Sequence, residues 1–182
     1  MNFLGHLSGI ATLTAQFVEA VKPHKVKIMD TRKTTPGLRI LEKYAVGAGG
    51  GTNHRLGLHD QILIKDNHLA ALGYNWEAVA RATEASRGKK IKVEIEVQDL
   101  DQFKNVIGLN PDIIMLDNMS SKEIKSAVAL RDESHYGLQL EVSGGVSLKN
   151  AKRIASTGID MISIGALTHS AKAIDFSLEI VR

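Results

Sequence analysis

Arg32 and Lys33 stand side by side in Asp30-Thr31-Arg32-Lys33-Thr34-Thr35-Pro36, directly after the apolar run Val26-Lys27-Ile28-Met29. Neighbouring side chains on an extended segment point to opposite sides. The pair therefore suits two anionic groups, or both ends of one polyanion. Further cations recur in similar places. Gly49-Gly50-Gly51-Thr52-Asn53-His54-Arg55 precedes a second apolar run, and Lys65-Asp66-Asn67-His68 follows it. Arginine's planar fork matches carboxylate and phosphate oxygens, and lysine is a compact point charge. Singly, each reads as a surface charge. Jointly, Arg32, Lys33, His54, Arg55 and Lys65 describe a site for a small metabolite with several carboxylates or phosphates.

Two carboxylates accompany them. Glu94 lies within Val93-Glu94-Ile95-Glu96-Val97, and Asp117 ends the run Ile113 to Leu116. Strand alternation puts Glu94 and Glu96 on one face and the apolar residues on the other. Glu94 and Asp117 suit salt bridges to the lysines, or Mg²⁺ and sugar hydroxyls, since Mg²⁺ takes one or two carboxylates plus phosphate oxygens. Two glycine loops, Ser143-Gly144-Gly145 and Gly165-Ala166, follow the last two apolar runs. Such loops let backbone N–H groups approach a phosphate. His169 reads equally as a phosphate contact or a core residue. His54 and His68 have no recognised zinc spacing.

These groups need a frame. Strand-like runs occur at Val26–Met29, Gln61–Ile64, Ile91–Val97, Ile113–Leu116, Leu138–Val142 and Met161–Ile164. Helical patterns lie between them at Leu38–Val46, Trp76–Ser86, Leu100–Leu109, Ser120–Leu130 and Ser147–Thr157. An amphipathic helix over Phe3–Val21 precedes them all and ends at Pro23. Alternation predicts a parallel sheet, buried on both faces. Polar residues recur after nearly every strand, the habit of a barrel whose loops build one site. The expectation is an incomplete TIM-like α/β barrel of about six strands. The tail Asp175–Val181 alternates apolar and polar, a half-buried strand pattern.

Composition narrows the partners. The 182 residues are 43% hydrophobic and 24% charged, with net charge +3 and 4% aromatics. That supplies no stacking platform or phosphate-tracking stripe for nucleic acid. No apolar run is long enough to span a membrane. Cysteine is absent, which removes disulfides and thiolate metal sites. The N-terminus lacks a signal-peptide pattern, so the expected location is cytoplasmic.

Taken in order, the motifs resemble quinolinate phosphoribosyltransferase, the decarboxylating pyrophosphorylase family of NAD biosynthesis. The likeness is carried by Asn2-Phe3-Leu4 with Leu7 to Thr12, and by Asp30 to Arg39. It continues through Gly49 to Arg55, Leu63 to His68, Met115 to Asn118, Ser143 to Gly145 and Gly165 to Ser170. The resemblance implies phosphoribosyl transfer from phosphoribosyl pyrophosphate to quinolinate, with Mg²⁺. Arg32, His54, Arg55 and Lys65 would hold the two carboxylates. Lys33, Glu94 and Asp117 would serve phosphoribosyl pyrophosphate and its metal. Ser143, Gly144, Gly145, Gly165 and His169 would sit at the phosphate end.

The resemblance also sets expectations about organisation. Family members are dimers with a further N-terminal α/β domain of roughly a hundred residues, and Met1 stands where that domain would already be finished. An arginine just before the segment matching Asn2-Phe3-Leu4 contributes to the quinolinate pocket, and this chain has no residue there. The isolated chain is thus expected to be impaired, with its tail strand pairing to the absent domain. A related phosphoribosyltransferase for another pyridine, or a non-catalytic subunit, is the alternative.

Overall fold

All six apolar runs are strands in the computed structural model, which describes residues 1–86, 91–134 and 137–181. They are β1 (Lys27–Met29), β2 (Ile62–Ile64), β3 (Val93–Val97), β4 (Ile113–Asp117), β5 (Gln139–Ser143) and β6 (Met161–Ser163). The helices are α1 (Asn2–Val21), α2 (Arg39–Ala48), α3 (Asp66–Ala71), α4 (Trp76–Ser86), α5 (Leu100–Ile107), α6 (Ser121–Ser134), α7 (Leu148–Ala155) and α8 (Ala166–His169). The short α3 and α8 leave no signal in the sequence. At six and four residues they are too brief to show a helical period.

Every ladder is parallel, and the strand order is β1-β6-β5-β4-β3-β2. Strands β2 to β6 follow chain order, and β1 comes next after β6. A doubly wound sheet reverses at a switch point. Uninterrupted order that returns to the first strand belongs to a barrel. The expected incomplete α/β barrel is the fold observed.

The seam between β1 and β2 closes differently. A parallel bridge joins Met29 to Thr52 on the free side of β1, where the Thr52 N–H donates to Ile28 O at 2.8 Å. From there to β2 the links run through side chains. Arg55 Nη1 donates to Gln61 O at 3.2 Å, and Gln61 Nε2 donates to Glu94 at 2.6 Å.

Two apolar regions result. Ile28, Ile64, Ile95, Ile114, Leu140 and Ile162 belong to the large core shared with the helices. Met29, Ile113 and Met161 form a small separate cluster. The opposite parity of these two sets along each strand places the second inside the barrel. Glu94, Glu96 and Glu141 share that inner parity and are buried.

Helix α1 buries Gly5, Gly9, Ile10, Thr14, Phe17 and Val21, a three-to-four-residue stripe, and packs on α2, α7 and β1. Its two glycines admit the C-terminal tail. The Ile174 N–H donates to Gly5 O at 3.0 Å, and a Cβ on Gly9 would lie 2.1 Å from Lys172 O. Gly9→Ala is therefore expected to destabilise the protein by about 1–3 kcal/mol through overpacking, read from urea unfolding. Beyond this crossing the tail forms no strand. Leu178, Ile180 and Val181 are exposed, and among the described residues the segment Asp175–Val181 pairs with none. Alternation makes a strand only where a sheet edge receives it.

Candidate active site

A cavity of about 650 Å³ opens at the C-terminal ends of the strands, in the size range of small-molecule sites. Every strand end contributes. Arg32 and Lys33 come from the loop after β1, and His54 and Arg55 from the Thr52 segment. Leu63 and Lys65 come from the end of β2, and Glu96 from β3. Asp117 and Asn118 follow from β4, Ser143 to Val146 from β5, and Ser163 to Ala166 with His169 from β6. All the residues expected from sequence line this space except Glu94.

Glu94 points into the same barrel but lies deeper. Two residues of strand separate it from Glu96, roughly 7 Å, and that step decides which carboxylate reaches the cavity. Glu96 lines the cavity, and its Oε2 accepts from Lys65 Nζ at 2.7 Å. The sequence places both glutamates on one face without ranking their depth. The available signal is position: Glu96 is nearer the C-terminal end, where barrel sites are built.

The cations are set by a buried network. Asp30, fully buried, pairs with Lys43 of α2 and accepts from the His54 backbone N–H at 2.9 Å. Lys43 Nζ also donates to His54 O at 2.8 Å. Oriented to satisfy its neighbours, the Asn53 amide donates to Lys43 O at 2.9 Å and Asp30 Oδ2 at 2.7 Å. Burial raises the Asp30 carboxyl pKa, opposed by Lys43 and the His54 N–H. One ion pair thus ties the Arg32–Lys33 loop to the His54–Arg55 segment. Glu42, also on α2, accepts from Thr35 N at 3.1 Å and faces His6 at 2.8 Å. Arg39 donates to Arg32 O at 3.1 Å. Glu42 and Lys43 are buried, so this part of α2 braces the site and does not serve as a solvated surface.

Within the cavity the positive charge is concentrated. Burial lowers the Arg55 guanidinium pKa, and the Arg32 charge lowers it further. Arg32 Nε is buried and, among the described residues, has no hydrogen-bond partner. Such a pair favours an anion between or beside them. On the far side, Thr168 Oγ1 donates to Lys33 O at 2.6 Å, and a Cβ on Gly165 would lie 3.3 Å from Lys33 Cδ and 3.1 Å from His169 Nε2. Asn118 Nδ2 donates to Asp117 Oδ2 at 2.9 Å. Gly144 has φ +87°, and a Cβ there would fall 2.2 Å from Asn118 Oδ1. The glycine lets this loop close over Asn118 beside Asp117.

Beneath the floor, His54 Nε2 lies 3.2 Å from Glu94 and 3.4 Å from Glu141. Burial alone would lower the His54 pKa, but the two carboxylates outweigh it and raise it to about 10. Burial and the neighbouring Glu141 raise Glu94 to about 7. Both folded values exceed the ordinary 6.5 and 4.5, so this cluster supports folding most fully at low pH and loses support as pH rises. The thermal midpoint is expected to fall as pH is raised from about 4.5 toward 10, through Glu94 up to about 7 and through His54 above 6.5, and less steeply in Glu94→Gln. Each kcal/mol lost lowers the midpoint by about 2–4 °C in a chain of this size.

Residues 10–179 match the family profile described as quinolinate phosphoribosyl transferase, C-terminal domain. The chain belongs to this family. It is 48% identical over 180 residues to the nicotinate-nucleotide pyrophosphorylase [carboxylating] of Mycobacterium leprae, covering 99% of this chain and 63% of that protein. The probable enzyme of that name from Bacillus subtilis is 43% identical, covering 99% and 61%. The crystal structure of NadC from Streptococcus pyogenes superposes with a TM-score of 0.90 at 46% identity, covering 98% of this chain and 61% of that one. The chain thus spans about three fifths of the length of the relatives it matches. Among its described residues no helix is long and apolar enough to cross a membrane.

Proposed function

We propose that this chain carries the site for phosphoribosyl transfer from phosphoribosyl pyrophosphate to quinolinate, releasing pyrophosphate and CO₂ and leaving nicotinate mononucleotide. The observation that carries the reading is the division of the cavity. Arg32, Arg55 and Lys65 supply charge for a dicarboxylate, while Lys33, Asp117, the Ser143–Gly145 loop and His169 supply a second anion site beside it. The names of the relatives support the same pair of substrates.

In this reading the two clamped anions are held side by side, which supplies much of the rate through positioning. The ring nitrogen of quinolinate bonds to the ribose anomeric carbon as pyrophosphate leaves. Asp117 balances positive charge developing on the sugar, and Lys33 meets the departing pyrophosphate. The ring, now cationic, accepts the electron pair left when the adjacent carboxylate departs as CO₂, and a proton takes its place. Glu96 and Asp117 are hard oxygen donors in the lining and fit Mg²⁺ with diphosphate oxygens. Glu94, engaged below the floor, does not. When bound, Mg²⁺ would neutralise pyrophosphate charge. Exposed apolar side chains on α1 and α2, including Phe3, Leu4, Ile40 and Tyr44, support association with a second copy. The absence of cysteine supports a cytoplasmic setting.

The test is CO₂ release from carboxyl-labelled quinolinate, dependent on phosphoribosyl pyrophosphate and Mg²⁺. Asp117→Ala is expected to lower turnover by about 10²–10³. Failure to bind either substrate, or CO₂ release that does not require phosphoribosyl pyrophosphate, would count against the reading. The paired arginines favour a dicarboxylate over a monocarboxylate such as nicotinate, which competition binding measures.

A further inference from the structure

Arg39 is the first residue of α2, and the helix gains little from a cation there. A positive charge in the first turn meets the positive end of the helix dipole. The guanidinium instead serves three acceptors, all in loops. Nε donates to Thr34 Oγ1, Nη2 to Arg32 O and Nη1 to Leu56 O, each at 3.1 Å. The first two acceptors belong to the loop after β1 that carries Arg32 and Lys33. The third directly follows Arg55. One planar fork therefore joins the two loops that hold the paired arginines.

That join works against a repulsion. The Arg32 charge acts on Arg55, so with no anion between them the two guanidiniums push their loops apart. One tie is already described: Asp30 pairs with Lys43 and accepts the His54 N–H. It lies before Arg32 on one loop and before Arg55 on the other. Arg39 ties the same loops at Arg32 O and just after Arg55. Arg39 and Lys43 are four residues apart, so they rise from one face of α2. Each arginine of the pair thus stands between two cross-links from a single helix. The second loop is also anchored beyond the tie, where the Leu56 and Gly57 N–H groups donate to Asp60 at 2.6 and 2.9 Å.

We propose that Arg39 is a positioning residue that sets the separation of Arg32 and Arg55, and with it the preference for a ligand bearing two neighbouring carboxylates. The inference rests on the anion-site reading above. A single carboxylate is satisfied by one arginine wherever the other stands. Two carboxylates on adjacent ring carbons need both arginines at one spacing, which a preorganised clamp supplies without ordering cost on binding. Lysine cannot replace Arg39 in this role. Its ammonium is a point charge, whereas the guanidinium fork reaches three separated acceptors at once. The second anion site depends less on this residue, because Lys33 is held from the opposite side by Thr168 Oγ1 on Lys33 O.

The test is isothermal titration of the full chain and of Arg39→Lys with three probes. Affinity for pyridine-2,3-dicarboxylate is expected to fall more than about tenfold. Affinities for pyridine-3-carboxylate and for phosphoribosyl pyrophosphate should each change less than about threefold. Equal losses for all three probes would make Arg39 a structural residue and overturn the proposal, as would an unchanged affinity for the dicarboxylate. Where Arg39→Lys does not fold, Thr34→Val decides, since it removes one acceptor and leaves Arg39 in place. A loss of about threefold confined to the dicarboxylate is then expected, and an unchanged preference would overturn the proposal. A second measurement needs no substrate. Amide exchange in Arg39→Lys should quicken more than about tenfold at Thr34, Leu56 and Gly57 and stay unchanged at Leu140 and Val142. Unchanged exchange in the loops, or faster exchange throughout the chain, would sink the idea. A parent protein that does not bind the dicarboxylate would overturn the anion-site reading, while the exchange result still decides whether Arg39 joins the loops.

Discussion

Lys43→Met is expected to cost about 3–5 kcal/mol of folding stability, because it leaves the Asp30 carboxylate buried without its cation. The side chains have similar reach, so the loss is electrostatic and not a void. Urea unfolding reads the cost directly. Adding Asp30→Asn should recover part of it, since removing both charges avoids an uncompensated ion. The same variant should weaken binding of pyridine-2,3-dicarboxylate, because Asp30 and Lys43 hold the His54 backbone from both sides. A loss of less than about 1 kcal/mol would show that the pair is not desolvated as its burial indicates.

Arg55→Ala is expected to do the reverse. Its guanidinium is depressed by burial and by Arg32, so the folded protein gains little from keeping it. Removing it relieves repulsion and forfeits the hydrogen bond to Gln61 O, and stability should change by less than about 1 kcal/mol. Affinity for the dicarboxylate should fall by about 2–5 kcal/mol, the cost of truncating one side of a close charge pair. Isothermal titration together with thermal unfolding checks both halves. Equal losses in stability and affinity would make Arg55 a structural residue. The contrast with Lys43 is that both are buried cations, but Lys43 sits in a direct ion pair with Asp30, whereas Arg55 has only the longer-range attraction of Glu94 and Asp60.

That contrast also marks what can be read from sequence. The cations after β1 and β2, Asp117 and the two glycine loops are legible because barrels place such residues at strand ends. Lys43 is not, because a lysine in an amphipathic helix looks solvated until its carboxylate is located. The glutamates of β3 are legible as a face but not as a depth, since alternation has period two and records no distance from the strand end. The six strands are legible from apolar runs flanked by turn residues. The tail departs from its strand pattern because alternation describes what a segment would bury, and not whether a partner is present.

The barrel's seam has a consequence for dynamics. Between the Thr52 segment and β2, closure depends on Arg55 reaching Gln61 and Gln61 reaching Glu94. The residue that clasps the ring is therefore also one that grips the ligand. An anion drawn to Arg55 and to Lys65, which follows β2, spans the two sides of this seam and acts as a rivet across the weakest line of the cylinder. Amide exchange should accordingly slow first along this line when ligand binds. The opening through which the protein breathes is then the one its substrate fastens.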